Sequence, residues 1–509
     1  MINVSASKKE FLSKLLLKLD DMVNPIVVKE VRQSVNSNGL IVTTVLVLLL
    51  EVCAFLFNLF FQDFNFGTGT SFFLLILGIF VAGYCFGIGG NVAIRMMKEH
   101  RNINSTDLIY TTTINPYRIV WGKVFSAMVM VSYLYSLCLP FMCISYFLKG
   151  ISLNTIILGS LFAFILAIPF MLSIIFITAI PMSNLLKIFL LIGVIGAMWS
   201  VIGWGMAIIS EPASFRSVIN GHILETVSVI FFWLLALSGL FYFLTVGLLS
   251  HLTSNRTVGL KIYYIVLLLA SAALFVVVNL FIPAGAKLPV LAYYIFAMMV
   301  IYGILIFNCF ERIEQTKRVL ATVPKNFILR IWHFLFSTGM TNNICYLLIV
   351  FFLVNVVCLL LDSIIPHTNK ADVLSHDNYL MMRRFIGVFC YLLSYQLFGV
   401  FVKWITKNYF ERVSVFAYVL LIVMLSFLIP ILIGVVLADF NVEKLGRQSE
   451  YIYILNPLIF DKSKYVNAGL MAGISFVLLG ILLNGYFFIK NLIIGFSYHK
   501  KEAVVVEND

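Results

Sequence analysis

The chain has 509 residues, 61% of them hydrophobic and only 11% charged, with a formal net charge of +12. A soluble globular chain carries about 25% charged residues, so these proportions exclude an ordinary soluble enzyme or binding module. A pI near 9.2 usually raises nucleic-acid binding, but here orientation in a membrane and contact with anionic lipid account for the charge, and no nucleic-acid partner is expected.

Residues 1–38 read as a cytoplasmic interfacial elbow. Ser7 and Glu10 have capping-box spacing, and Phe11, Leu12, Leu15, Leu16 and Leu19 then share one face flanked by Lys9, Lys14 and Lys18. That pattern suits a helix lying in the plane of the interface. Asn24 is a suitable N-cap and Pro25 a suitable first residue for a second helix. This helix carries Lys29, Glu30, Arg32 and Gln33 directly before the membrane. On physics alone it is a basic juxtamembrane anchor.

Twelve apolar runs follow, at 39–61, 71–90, 120–148, 151–179, 184–209, 225–250, 261–283, 288–308, 342–361, 385–406, 414–437 and 465–494. A hydrocarbon core of about 30 Å takes roughly 20 helical residues, so the expected fold is an all-α polytopic membrane protein of about 12 transmembrane helices. With the N-terminus inside, 25 of the 35 Lys and Arg residues fall on inner segments. The positive-inside rule therefore places both termini in the cytoplasm.

Within the first run Glu51 is the one acid at mid-membrane depth, with Thr44 and Asn58 seven residues to either side. Intramembrane ionisable groups are costly and face a partner or a cavity. Two readings stand: a substrate path or proton-sensitive gate, and a protonated Glu hydrogen-bonded to a neighbouring helix. Gly83, Gly87 and Gly90 in the second run read as close helix packing. The eight cysteines lie in or beside apolar runs without metal-ligand spacing and read as small hydrophobes.

Between the second and third runs lies RMMKEHRNINSTDLIYTTTINPYRIVWGK, a polar loop on the cytoplasmic side. Ser105 or Thr106 can cap a short helix beginning at Asp107, whose charge favours a helix N-terminus. Leu108 and Ile109 continue that helix, and Asn115 and Pro116 stop it. A capped helix pushed out between two membrane helices makes a docking knob rather than an active site.

At this point the chain resembles the permease subunits of type-2 ABC exporters. The elements that carry the resemblance are Asn24, Pro25, Lys29, Glu30, Arg32 and Gln33, then Glu99, Arg101, Thr106, Leu108, Ile109, Pro116, Ile119, Gly122 and Lys123, within roughly residues 20–250. The resemblance implies that the loop over 95–119, with Asp107 and Arg118 among its contacts, is a coupling helix seated in a groove of a separate ATPase subunit. ATP and Mg would be used by that partner, expected in two copies. A multi-pass protein of the bacterial cytoplasmic (inner) membrane is implied on the same ground.

A second cytoplasmic loop, 309–341, carries Thr322, Val323 and Pro324, then Ile328, Leu329 and Arg330, echoing the first loop. Cutting the runs six and six gives a first permease half over 39–250, a second, divergent half over 251–494 and a cytoplasmic tail over 495–509. Both halves of a permease would then be fused in one chain, although the second lacks a comparable elbow. The outer segment with Asp362, His367, Asp372, His376 and Asp377 reads as a solvated loop.

No GxxxxGK[ST] phosphate loop, HExxH or GxSxG motif occurs. The chain is therefore expected to be no enzyme itself, with no cofactor or metal of its own. The expected function is that of an exporter permease. The alternative is a transporter driven by an ion gradient, which would call for ionisable groups at the midplane of both halves. A membrane-embedded transferase has only the Asp/His-rich outer loop in its favour.

Overall fold

The computed structural model describes residues 25–61, 69–101, 115–180, 184–210, 232–250, 254–281, 290–308, 317–364, 376–406, 415–437 and 466–496. Every regular element among them is helical. The chain divides into two compact units, Met1–His251 and Leu252–Asp509. Ten helices among the described residues are long and apolar enough to cross a membrane. The architecture is that of an all-α, multi-pass integral membrane protein.

In the first unit a short helix α1 (Pro25–Val35) precedes α2 (Asn38–Phe61). The second span is built of α3 (Gly69–Ala82), a π-helical segment (Gly83–Ile88) and α4 (Gly89–Arg101). Then come α5 (Pro116–Phe147), α6 (Leu153–Ala179), α7 (Asn184–Ser210) and α8 (Phe232–Leu249). Asn115 and Pro116, expected to end the loop helix, start α5: Asn115 is its N-cap, accepting from the Tyr117 amide at 3.3 Å, and Pro116 takes the first turn. Prolines inside α5 and α6, at Pro140 and Pro169, are tolerated where neighbouring helices can meet the freed carbonyl.

The core of this unit is a packed cluster around Phe73, Phe80, Tyr84, Leu134 and Phe170. Phe80, Tyr84 and Phe170 meet edge to face, with centroids 5.2 and 5.8 Å apart. Span α2 contributes one stripe, burying Thr43, Val47, Glu51, Ala54 and Asn58 while its other faces stay open. The buried threonine is thus Thr43, one residue before the expected Thr44, whose hydroxyl turns back to the Leu40 carbonyl at 2.9 Å. The buried row runs at intervals of four, four, three and four, so its threonine lies eight residues before Glu51 while Asn58 lies seven after it.

The second span meets α2 along small residues. A Cβ on Gly87 would stand 2.1 Å from Thr43 Cγ2, and one on Gly83 would stand 2.9 Å from Val47 and Leu134. Gly90, expected to share the seam, has open space around it. Two of the three glycines therefore pack.

In the second unit the helices are α9 (Val258–Phe281), α10 (Val290–Asn308), the short α11 (Lys317–Leu320) and α12 (Phe327–Phe336). They are followed by α13 (Met340–Ile364), α14 (His376–Thr406), α15 (Val415–Leu437), α16 (Val466–Leu483) and α17 (Gly485–Phe496). The last apolar run, continuous in sequence, is broken at Asn484. Its amide donates to the Leu397 carbonyl at 3.0 Å and the Gly480 carbonyl at 2.8 Å, tying the break to α14.

The seam makes a contrast that thermal unfolding in detergent can read. Gly87→Leu should cost about 1–3 kcal/mol by overpacking against Thr43. Gly90→Ala should be neutral or stabilising by up to about 1 kcal/mol, since it meets nothing and improves helix propensity.

Candidate functional site

Four charged side chains from three helices of the first unit converge beneath α1. Glu30 is buried on α1, where Val27, Glu30 and Ser34 form the inward face, while Lys29 and Arg32 point outward and are exposed. Lys123 on α5 reaches Glu30 Oε1 at 2.7 Å and Glu99 Oε2, on α4, also at 2.7 Å. Arg95, one helical turn before Glu99, reaches Glu30 Oε2 at 3.3 Å and donates to the Glu30 carbonyl at 3.1 Å and to the Ser34 hydroxyl. Ser34 in turn donates to the Glu30 carbonyl at 2.8 Å.

Two acids and two bases thus cancel in charge, and each acid accepts from a cation. A void of about 10 Å³ remains between Glu30, Val92, Arg95, Met96 and Lys123, about the size that one water molecule needs. Geometrically the cluster fastens α1 to the two helices, α4 and α5, that bound residues 102–114.

Of the loop residues named from sequence, Thr106, Asp107, Leu108 and Ile109 lie outside the described residues, as does Asn24 of the elbow. Arg101 ends α4. Pro25 and Arg118 are exposed and Pro116 half-buried. Glu30, Glu99 and Lys123, which the sequence pattern names separately, meet in one place. Arg95 and Ser34 were missed. The available signal was the four-residue spacing of Arg95 and Glu99, which puts an opposite pair on one helix face.

Glu51 sits elsewhere, wholly buried in the packed core of the first unit. The Cys138 thiol of α5 is its polar neighbour, but neither carboxyl oxygen has a hydrogen bond of good geometry. Among the described residues no group of three His, Cys, Asp or Glu side chains could hold a metal ion.

The second loop folds on itself in the second unit. The Thr322 hydroxyl donates to the Val319 carbonyl at 2.7 Å and lies 2.9 Å from His333 Nε2 on α12. With its proton committed to the carbonyl, the hydroxyl accepts from Nε2–H. Desolvation holds the His333 imidazole below its ordinary range, in keeping with that neutral tautomer. The Pro324 carbonyl accepts from Arg330 Nε at 3.1 Å. Below α12, Lys261 on α9 donates to the Leu335 and Ser337 carbonyls at 2.7 and 2.8 Å, a cation at a helix C-terminus. Its ammonium also stands 5.3 Å from the Tyr346 ring centre.

No family model, characterised protein or solved structure matches the chain.

A double-mutant cycle measures the cluster. Lys123→Met alone should cost about 1–3 kcal/mol, because it removes the cation shared by Glu30 and Glu99 while Arg95 still pairs Glu30. Glu30→Gln with Lys123→Met should cost less than the sum of the single changes, by about 0.5–3 kcal/mol. Denaturation of the detergent-solubilised protein checks both.

Proposed function

We propose that this chain is the transmembrane subunit of an exporter powered by ATP hydrolysed in a separate, cytoplasmic ATPase. The observation that carries the reading is the Glu30–Lys123–Glu99 chain of contacts, each 2.7 Å long, with Arg95 closing it. A motor that pushes on the loop between α4 and α5 needs its displacement delivered to the membrane helices as a unit. An ionic clamp across α1, α4 and α5 supplies that stiffness, since linked charge-assisted contacts on three helices oppose moving one helix without the others. Residues 95–119 are the docking loop in this reading, and Thr322 and Pro324 belong to a second one. Both termini face the cytoplasm, and one chain carries both halves of the pathway and binds two ATPase copies.

Purification with the ATPase encoded beside it, followed by mass measurement of the complex, tests the reading. One permease chain with two ATPases is expected, weakened by Asp107→Lys/Leu108→Asp. Two permeases with two ATPases would keep the exporter and remove the fusion of halves. No association under any nucleotide condition would overturn the exporter and put the gradient-driven transporter, with Glu51 as its intramembrane acid, in its place.

A further inference from the structure

The helix α12 has the sequence FILRIWHFLF. It buries Phe334 yet leaves Phe327 67%, Ile328 74% and Trp332 55% exposed. A contiguous apolar face of that kind marks a contact surface. Its C-terminal carbonyls are held by Lys261, four residues into the candidate span α9, and three residues later Met340 opens the candidate span α13. The helix is thus pinned at the ends of two spans, where the headgroup region of a bilayer lies.

Between α12 and α9 runs a groove of about 500 Å³, within the roughly 300–1,000 Å³ of pockets that hold a single small ligand. Val258, Ile262 and Val266 form one wall and Trp332 and Phe336 the other, with Asn255 and His333 as its polar members. The two segments that make these walls, 254–266 and 317–340, carry no Asp or Glu, and besides Lys261 and Arg330, which bond backbone carbonyls, they carry Arg256, Arg318 and Lys325. Apolar walls set in basic segments match one chemistry: a hydrocarbon tail with a negative head. We propose that the groove binds an acyl chain of an anionic phospholipid, whose headgroup is drawn to Arg256, Arg318 and Lys325 of the flanking segments. A zwitterionic lipid could fill the same walls but would gain nothing from their charge, and that difference identifies the occupant.

Trp332 in the groove wall reports occupancy directly. In a variant with Trp121, Trp199, Trp204, Trp233 and Trp404 changed to Phe, its fluorescence is measured in vesicles of phosphatidylcholine. These contain a minor fraction of either acyl-brominated phosphatidylglycerol or acyl-brominated phosphatidylcholine. Quenching by the anionic lipid should be at least about twofold stronger, and high salt or Arg256→Gln/Lys325→Gln should erase the difference, as screening and loss of charge require. Equal quenching would mean ordinary bilayer contact and overturn the site. Absence of quenching would mean that protein covers the groove and would overturn it as well. Should the five Trp→Phe changes prevent folding, native mass spectrometry of the unaltered chain serves instead. Retained phosphatidylglycerol in preference to phosphatidylcholine, lost in Ile262→Trp, supports the site; no preference overturns it.

Discussion

Hydrocarbon offers no water to a backbone amide or carbonyl, and that one condition makes every candidate span among the described residues helical. The same condition governs side chains. Near the starts of three spans stand buried lysines, Lys123, Lys187 and Lys261, and each is satisfied within the protein. Lys187 donates to the Thr178 carbonyl at 2.8 Å, at the end of α6. Lys261 does the same at the end of α12, and Lys123 takes two carboxylates. A lysine that cannot keep water ties together whatever oxygens it finds, nine residues away for Lys187 and more than seventy for Lys261 and its partners on α12.

Such ties set geometry more than they add stability. Desolvating two charges roughly offsets their attraction, whereas losing one partner is severe. The cluster under α1 is therefore best understood as a constraint on where α1 sits against α4 and α5. It gives a short helix with only Val27, Glu30 and Ser34 buried a defined seat. The exporter reading draws on that constraint, and the groove beside α12 stands apart from it.

The spans were legible because hydropathy over about 20 residues is a strong signal. Other features were not. The break at Asn484 lies inside an unbroken apolar run, and only the carbonyl of Leu397, 87 residues earlier, explains it. Glu30, Glu99 and Lys123 were each legible as polar residues in a family-like pattern, but their meeting spans 93 positions of chain and no local rule brings them together. Helix α12 was hidden inside what reads as a basic loop, because its exposed face is as apolar as a span and only its ten-residue length sets it apart.

The π-helical segment Gly83–Ile88 has a consequence for rotation about the helix axis. In regular α-helix every fourth residue drifts about 40° around the axis, so a long row at that interval spirals away from its neighbour. A wider π turn lags the other way. Across this segment the row Gly83, Gly87, Asn91 stays on one line, opposite Val47, Thr43 and Gly39. The extra residue acts as a phase corrector. It straightens the seam with α2 and also determines the azimuth at which Arg95 and Glu99 emerge about two and three turns beyond it. Returning the segment to α winding with all six of its residues kept would turn both side chains by about 100°, away from Lys123 and Glu30.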